Sequence, residues 1–88
     1  MGMTVGAILV SYDINRLHIE VKNAMKALGY TDNWHYGTGK TYQLPNTTLW
    51  KNNISSNQAI SDLKSICARF NVLLEKAVAV NATEFVGV

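Results

Sequence analysis

The chain of 88 residues holds a single cysteine, and only 16% of its residues are charged. One thiol, Cys67, rules out an intrachain disulfide, and it falls on the apolar stripe of a helical pattern, where core packing is its expected role. No apolar run reaches the length of a membrane span. The N-terminus lacks the basic start and long apolar core of a signal peptide. The expectation is therefore a cytoplasmic protein with no membrane segment. A formal net charge of +2, from eight Lys and Arg against six Asp and Glu, is too small to mark a dedicated nucleic-acid binder, in which a strongly basic face is expected. Internal repeats and low-complexity linkers are lacking as well.

What is present is apolar: 48% of the residues are hydrophobic, the profile of a folded chain rather than a disordered one. A chain of this length buries roughly 60–65% of its unfolded surface, enough for one sheet with helices on one face. Met1-Gly2 ahead of Met3 reads as an addition, so a single domain is expected over 3–88. With so few charges, some apolar surface is expected to lie between subunits.

Periodicity places the elements. Thr4 to Tyr12 reads as a buried strand. Asn15 to Leu28 reads as a helix with Leu17, Val21, Ala24, Met25 and Leu28 on one face, closed by Gly29. Thr41–Leu44 and Thr47–Trp50, split by Pro45-Asn46, predict a β-hairpin. Ser55 with Gln58 is a capping-box pattern opening a second helix that carries Ala59, Ile60, Leu63, Ile66, Cys67 and Phe70, and Asn71 ends it. A last strand follows over Ala77–Asn81, with Glu84–Val88 as a short extra C-terminal strand or arm. The order βαββαβ is the ferredoxin-like arrangement: an α+β fold with an antiparallel sheet and two helices on one face. Neither side of Ala77-Val78-Ala79-Val80 is polar, so the expectation is a homodimer formed through the sheet.

Few residues are candidates for chemistry. Asp13 follows the first strand, where a carboxylate held at a rigid strand end could ligate a hard cation such as magnesium; the alternative is that Asp13 or Asn15 caps the next helix. Arg16, one turn on, could neutralise phosphate or stand solvated. Gly37-Thr38-Gly39-Lys40-Thr41 is not a phosphate-binding loop, because Trp34 stands where the first glycine is required and the segment leads into a strand. Lys40 could still meet a nucleic-acid backbone. Trp34, Tyr36, Tyr42 and Trp50 gather aromatics beside Lys40 and Lys51, which suits single-stranded nucleic acid or subunit packing. His18 and His35 have no metal-site spacing.

Val10-Ser11-Tyr12-Asp13-Ile14, Trp34-His35 and the closing Phe85-Val86-Gly87-Val88, in this element order, resemble the small CRISPR-associated, VapD-like and SinR-like superfamily, nearest its SinR-like group. The resemblance spans nearly the whole chain. It implies a homodimer of ferredoxin-like protomers. It also implies Asp13 as catalytic residue and Mg2+ ligand of a metal-dependent nuclease, of toxin–antitoxin or CRISPR-related type, acting on RNA or single-stranded nucleic acid. Arg16, Lys40, Trp34 and His35 would then be its nucleic-acid contacts. Other relatives are non-enzymatic, so an antitoxin, a phage-encoded inhibitor or a dimeric adaptor with a protein partner is the competing expectation. Only Ile14-Asn15-Arg16 and then Leu17 follow Asp13, without the dense basic residues of the CRISPR-associated branch, which argues against duplex DNA.

Overall fold

The structure, a computed structural model, describes residues 5–35 and 41–82, with the side chains of 34, 35, 41 and 42 outside that description. The fold is α+β. Its order is β1 (Gly6–Ile14), α1 (His18–Ala27), β2 (Asn33–His35), β3 (Thr41–Gln43), β4 (Thr48–Ile54), α2 (Ser56–Arg69) and β5 (Leu74–Asn81). β1 is the centre of a three-stranded sheet, β4-β1-β5, and pairs antiparallel on both sides. The expected arm at Glu84–Val88, and Lys40, lie outside the described residues.

β1 earns its central place by alternation. Ile8, Val10, Tyr12 and Ile14 are buried on one face, together with Val21 and Met25 of α1 and Ala59, Leu63, Ile66 and Cys67 of α2. Both helices therefore share one core with one face of the sheet. Residues directly opposite in an antiparallel ladder share a face, so the registers Val80–Leu9–Trp50, Val78–Ser11–Thr48 and Lys76–Asp13 set the composition of the other face. On that face Val78 and Val80 are exposed, Leu9, Ser11 and Trp50 are half-buried, and Thr48 is buried.

The structure departs from the sequence reading at several points, among them an unexpected strand at β2 and a β5 that begins at Leu74 rather than Ala77. β1 runs on to Ile14, because Asp13 and Ile14 still pair with Lys76 and Leu74 across a bulge. The first helix starts at His18 rather than Asn15: its N-cap, Leu17, sits in the left-handed region at φ 57° with no side-chain cap, at a cost of roughly 1–2 kcal/mol, while its side chain packs partly into the core. The expected hairpin across Pro45-Asn46 does not form. β3 instead pairs back onto β2 as a separate ribbon, and the turn closed by Thr48 N–H to the Pro45 carbonyl (3.0 Å) delivers β4 to β1. Paired with β1, β4 places Leu49 opposite Val10, where it is fully enclosed.

Both helix ends follow the local signals. Gly29 (φ 100°) donates to Lys26 O and Tyr30 N–H to Met25 O, the paired bonds of a Schellman cap. A Cβ at Gly29 would meet Lys51 Cε at 3.3 Å. Asn71 (φ 55°) and Val72 repeat the motif on α2, donating to Ala68 O and Cys67 O. Ser55 Oγ accepts from Gln58 N–H (3.1 Å), half of the capping box. The Gln58 amide turns instead to Asp62 Oδ1 (2.7 Å), beside the Tyr30 hydroxyl on Asp62 Oδ2 (2.9 Å).

Asp32 fastens the chain between α1 and the β2–β3 ribbon. Its Oδ2 lies 3.4 Å from Lys22 Nζ and 3.7 Å from Lys26 Nζ. Burial pushes this carboxyl up, but the hydrogen bond from Lys22 and the charges of Lys26 and Lys22 outweigh it and hold Asp32 below its ordinary 3.8. A carboxyl lowered on folding contributes stability that is complete above its unfolded value and is lost as pH falls through the folded one. Asp32→Asn should accordingly be less stable than wild type in urea at neutral pH. The gap should narrow as pH falls below the ordinary carboxylate range and through the lowered folded value; a gap independent of pH would rule the ion pairs out as its source.

Candidate functional site

The site begins with the ladder at the C-terminal end of β1. Asp13 pairs with Lys76 of β5, and both residues are exposed, so an acidic and a basic residue stand opposite each other in the ladder on the open face. Asp13 does not cap a helix. Asn15 does not either: its backbone N–H donates to Leu73 O (3.3 Å) and its Oδ1 accepts from Leu73 N–H (3.0 Å), which locks the approach to β5. Ser11, Tyr12 and Asp13 of β1, with Lys76, Ala77 and Val78 of β5, line a shallow groove of about 340 Å³.

One row further along, the Ser11 and Thr48 hydroxyls share a hydrogen bond at 3.3 Å, so the polar atoms in the middle of the face satisfy each other. The next row, Val80–Leu9–Trp50, is apolar. The Trp50 indole N–H donates to Asn33 O (2.7 Å), which ties this row to the start of β2. Val78 and Val80 are 57% and 46% exposed. Apolar side chains of that size, adjacent on one strand, are what a docking surface presents.

The residues singled out from sequence separate in space. Arg16 stays near Asp13 in the chain, but its Nη1 donates to the Asn71 carbonyl (3.2 Å) just beyond the C-terminus of α2, where a cation also meets the negative end of the helix dipole. Trp34 and His35 lie in β2, on the separate ribbon, and the positions of their side chains are outside the described residues. Among the described residues no group of three His, Cys, Asp or Glu could hold a metal ion. The residue that sequence reasoning passed over is Lys76. The alternation Lys76, Val78, Val80 marks it as sharing a face with the valines, but its apposition to Asp13 depends on the β1–β5 register.

A second depression of about 310 Å³ lies at the opposite edge, lined by Gly29, Thr31, Trp50, Lys51 and Asn52. Its cation is committed: Lys51 Nζ donates to Leu28 O (2.6 Å) and lies 5.4 Å from the centre of the Tyr30 ring. Burial, followed by the bond to Asp62, pushes the Tyr30 hydroxyl up. On the core side Cys67 is buried, and burial pushes its thiol up, as suits a packing residue. No helix among the described residues is long and apolar enough to cross a membrane. Compared with known protein families, curated proteins and solved structures, the chain matches none.

Behind Asp13, Tyr12 is 4% exposed, and its hydroxyl finds no hydrogen-bond partner among the described residues. Burial, then the neighbouring Cys67, pushes it up to about 12. An unpaired buried hydroxyl costs about 1–3 kcal/mol. Tyr12→Phe should therefore stabilise the protein by about 1 kcal/mol in urea titrations, and a loss of stability would reveal a partner for the hydroxyl.

Proposed function

We propose that this protein is a homodimeric interaction module: a ferredoxin-like βαββαβ protomer whose sheet joins a second copy and presents an apolar platform to a protein partner. The observation that carries the reading is the open sheet face, where Val78 and Val80 of the outermost strand stand exposed beside Leu9 and Trp50. The ferredoxin-like order is supported by β1 lying between β4 and β5, the places of the first, third and fourth strands of that fold. The antiparallel Thr31–Trp50 bridge falls on the outer edge of β4, where the remaining strand would pair. The residues of the face favour a protein over a nucleic acid, since it is aliphatic where a nucleic-acid surface would be basic. One buried thiol fits a reducing compartment such as the cytoplasm.

A specific observation also favours a second reading, the metal-dependent nuclease suggested by the SinR-like resemblance. Asp13 is exposed in a groove beside Lys76 and is spent on no helix cap. In this reading Asp13 supplies one carboxylate to Mg2+, with phosphate oxygens and water completing the shell, and Lys76 faces the phosphate.

Analytical ultracentrifugation at micromolar concentration should give twice the chain mass. Val80→Glu should return the monomer without unfolding it, because position 80 contributes little to the core. A wild-type monomer would overturn the module reading. The nuclease reading is tested by Asp13→Asn, which removes the charge while keeping the side chain's size. Magnesium-dependent cleavage of labelled RNA should be present in wild type and disappear in the variant, with folding unchanged. Wild-type protein inert toward RNA and DNA with magnesium or manganese would eliminate that reading.

A further inference from the structure

Among the described residues, the sheet is open at the outer edge of β5 both in its side chains and in its backbone. Ala82 N–H donates to Ala7 O (2.7 Å), which fixes the alternation of the β1–β5 ladder. Lys76, Val78 and Val80 turn their backbone groups toward β1, while Ala77, Ala79 and Asn81 turn theirs outward. Among the described residues no strand lies beyond β5. The edge carries neither proline nor bulge from Lys76 to Asn81, although such devices commonly protect an exposed edge. Ala77 is exposed on the helix side, so α2 does not cover the edge there.

Resting on the reading that two copies meet through the sheet, we propose that they meet at this edge. The β5 strands would pair antiparallel about a two-fold axis at Ala79, making one continuous six-stranded sheet. Three considerations select a second copy and this register. Antiparallel pairing requires outward residues to face outward residues, and an axis at Ala79 opposes Ala79 to its own copy and Ala77 to the partner's Asn81. That gives about six backbone hydrogen bonds. The same axis sets Val78 against the partner's Val80, twice over, on the open face, as a β-branched cross-strand pair.

Charge supplies the second consideration. Lys76, the only cation on β5, stands about 20 Å from its copy in this register. An axis at Ala77 would bring the two lysines to roughly 8 Å, about the screening length at physiological salt. The third is area. A three-stranded face about 27 Å long and about 14 Å wide covers roughly 400 Å² in projection, half of the ~800 Å² per partner that a standard interface takes. One protomer's face is thus half the size that a standard protein interface takes. Joining the edges adds backbone hydrogen bonds and doubles the platform to roughly 800 Å².

The test is oxidative cross-linking between single-cysteine additions, with wild type as the control for buried Cys67. Directly opposed residues in a non-hydrogen-bonded pair lie about 4.5 Å apart at Cα, within disulfide reach. Mixing Val78→Cys with Val80→Cys protein should give a disulfide-linked heterodimer in several-fold excess over either homodimer. Ala77→Pro removes an outward N–H and no bond to β1, so it should weaken dimerisation at least tenfold while circular dichroism stays native. A Val78→Cys homodimer as the dominant product would overturn the register. A dimer that neither cross-links nor responds to Ala77→Pro would overturn the edge and leave the dimeric reading intact, whereas a wild-type monomer removes both. Should Ala77→Pro unfold, the cross-linking result alone decides.

Discussion

The whole structure depends on β1 being hydrogen-bonded along both edges while burying only one of its faces. Pairing with β4 and β5 satisfies its backbone, so the strand can sit in the interior without stranded polar groups. Ile8, Val10, Tyr12 and Ile14 then form the floor onto which both helices pack. The same alternation sends Leu9, Ser11 and Asp13 the other way. The open face, with its apolar row and its Asp13–Lys76 end, is thus the direct complement of the core.

The helices are held by their ends as much as by their faces. Two Schellman caps, at Gly29 and Asn71, turn the chain back and drop Tyr30 and Val72 into the core. Tyr30 then reaches Asp62 of α2, and Asp32 draws Lys22 and Lys26 of α1 toward the ribbon. These polar ties lie on the helix side of the sheet. On the open face the Ser11 and Thr48 hydroxyls share a hydrogen bond and the Trp50 indole N–H donates to Asn33 O, while Val78 and Val80 stand exposed. In a monomer that surface is an aggregation hazard; in a dimer it becomes part of a larger platform.

Much of this architecture was legible from sequence, for identifiable reasons. The stripe Ala59, Leu63, Ile66, Cys67 and the Ser55 cap are local signals, and α2 follows them almost residue for residue. Asn71 and Gly29 end their helices because both tolerate a positive φ. Sequence alone predicts a hairpin here because Thr41–Leu44 and Thr47–Trp50 are equally strand-like. Which strand accepts them depends on partners far away in the chain, and β4 pairs with β1 while β3 pairs with β2. Asp13 was read as the residue after a strand because a carboxylate near a helical pattern resembles a cap. It remains in the strand because β5 pairs past it.

The sequence by itself determined the periods of the elements, the helix stops and the division of β1 into an apolar and a mixed face, since each depends on neighbours a few residues away. Only the tertiary structure decided the sheet order β4-β1-β5, the diversion of β3 onto β2, and the apposition of Asp13 with Lys76 and of Leu9 with Val80 and Trp50. Those pairings join residues far apart in the chain. Register between such strands is set by collective burial of one face, a quantity that exists only once the chain has closed on itself.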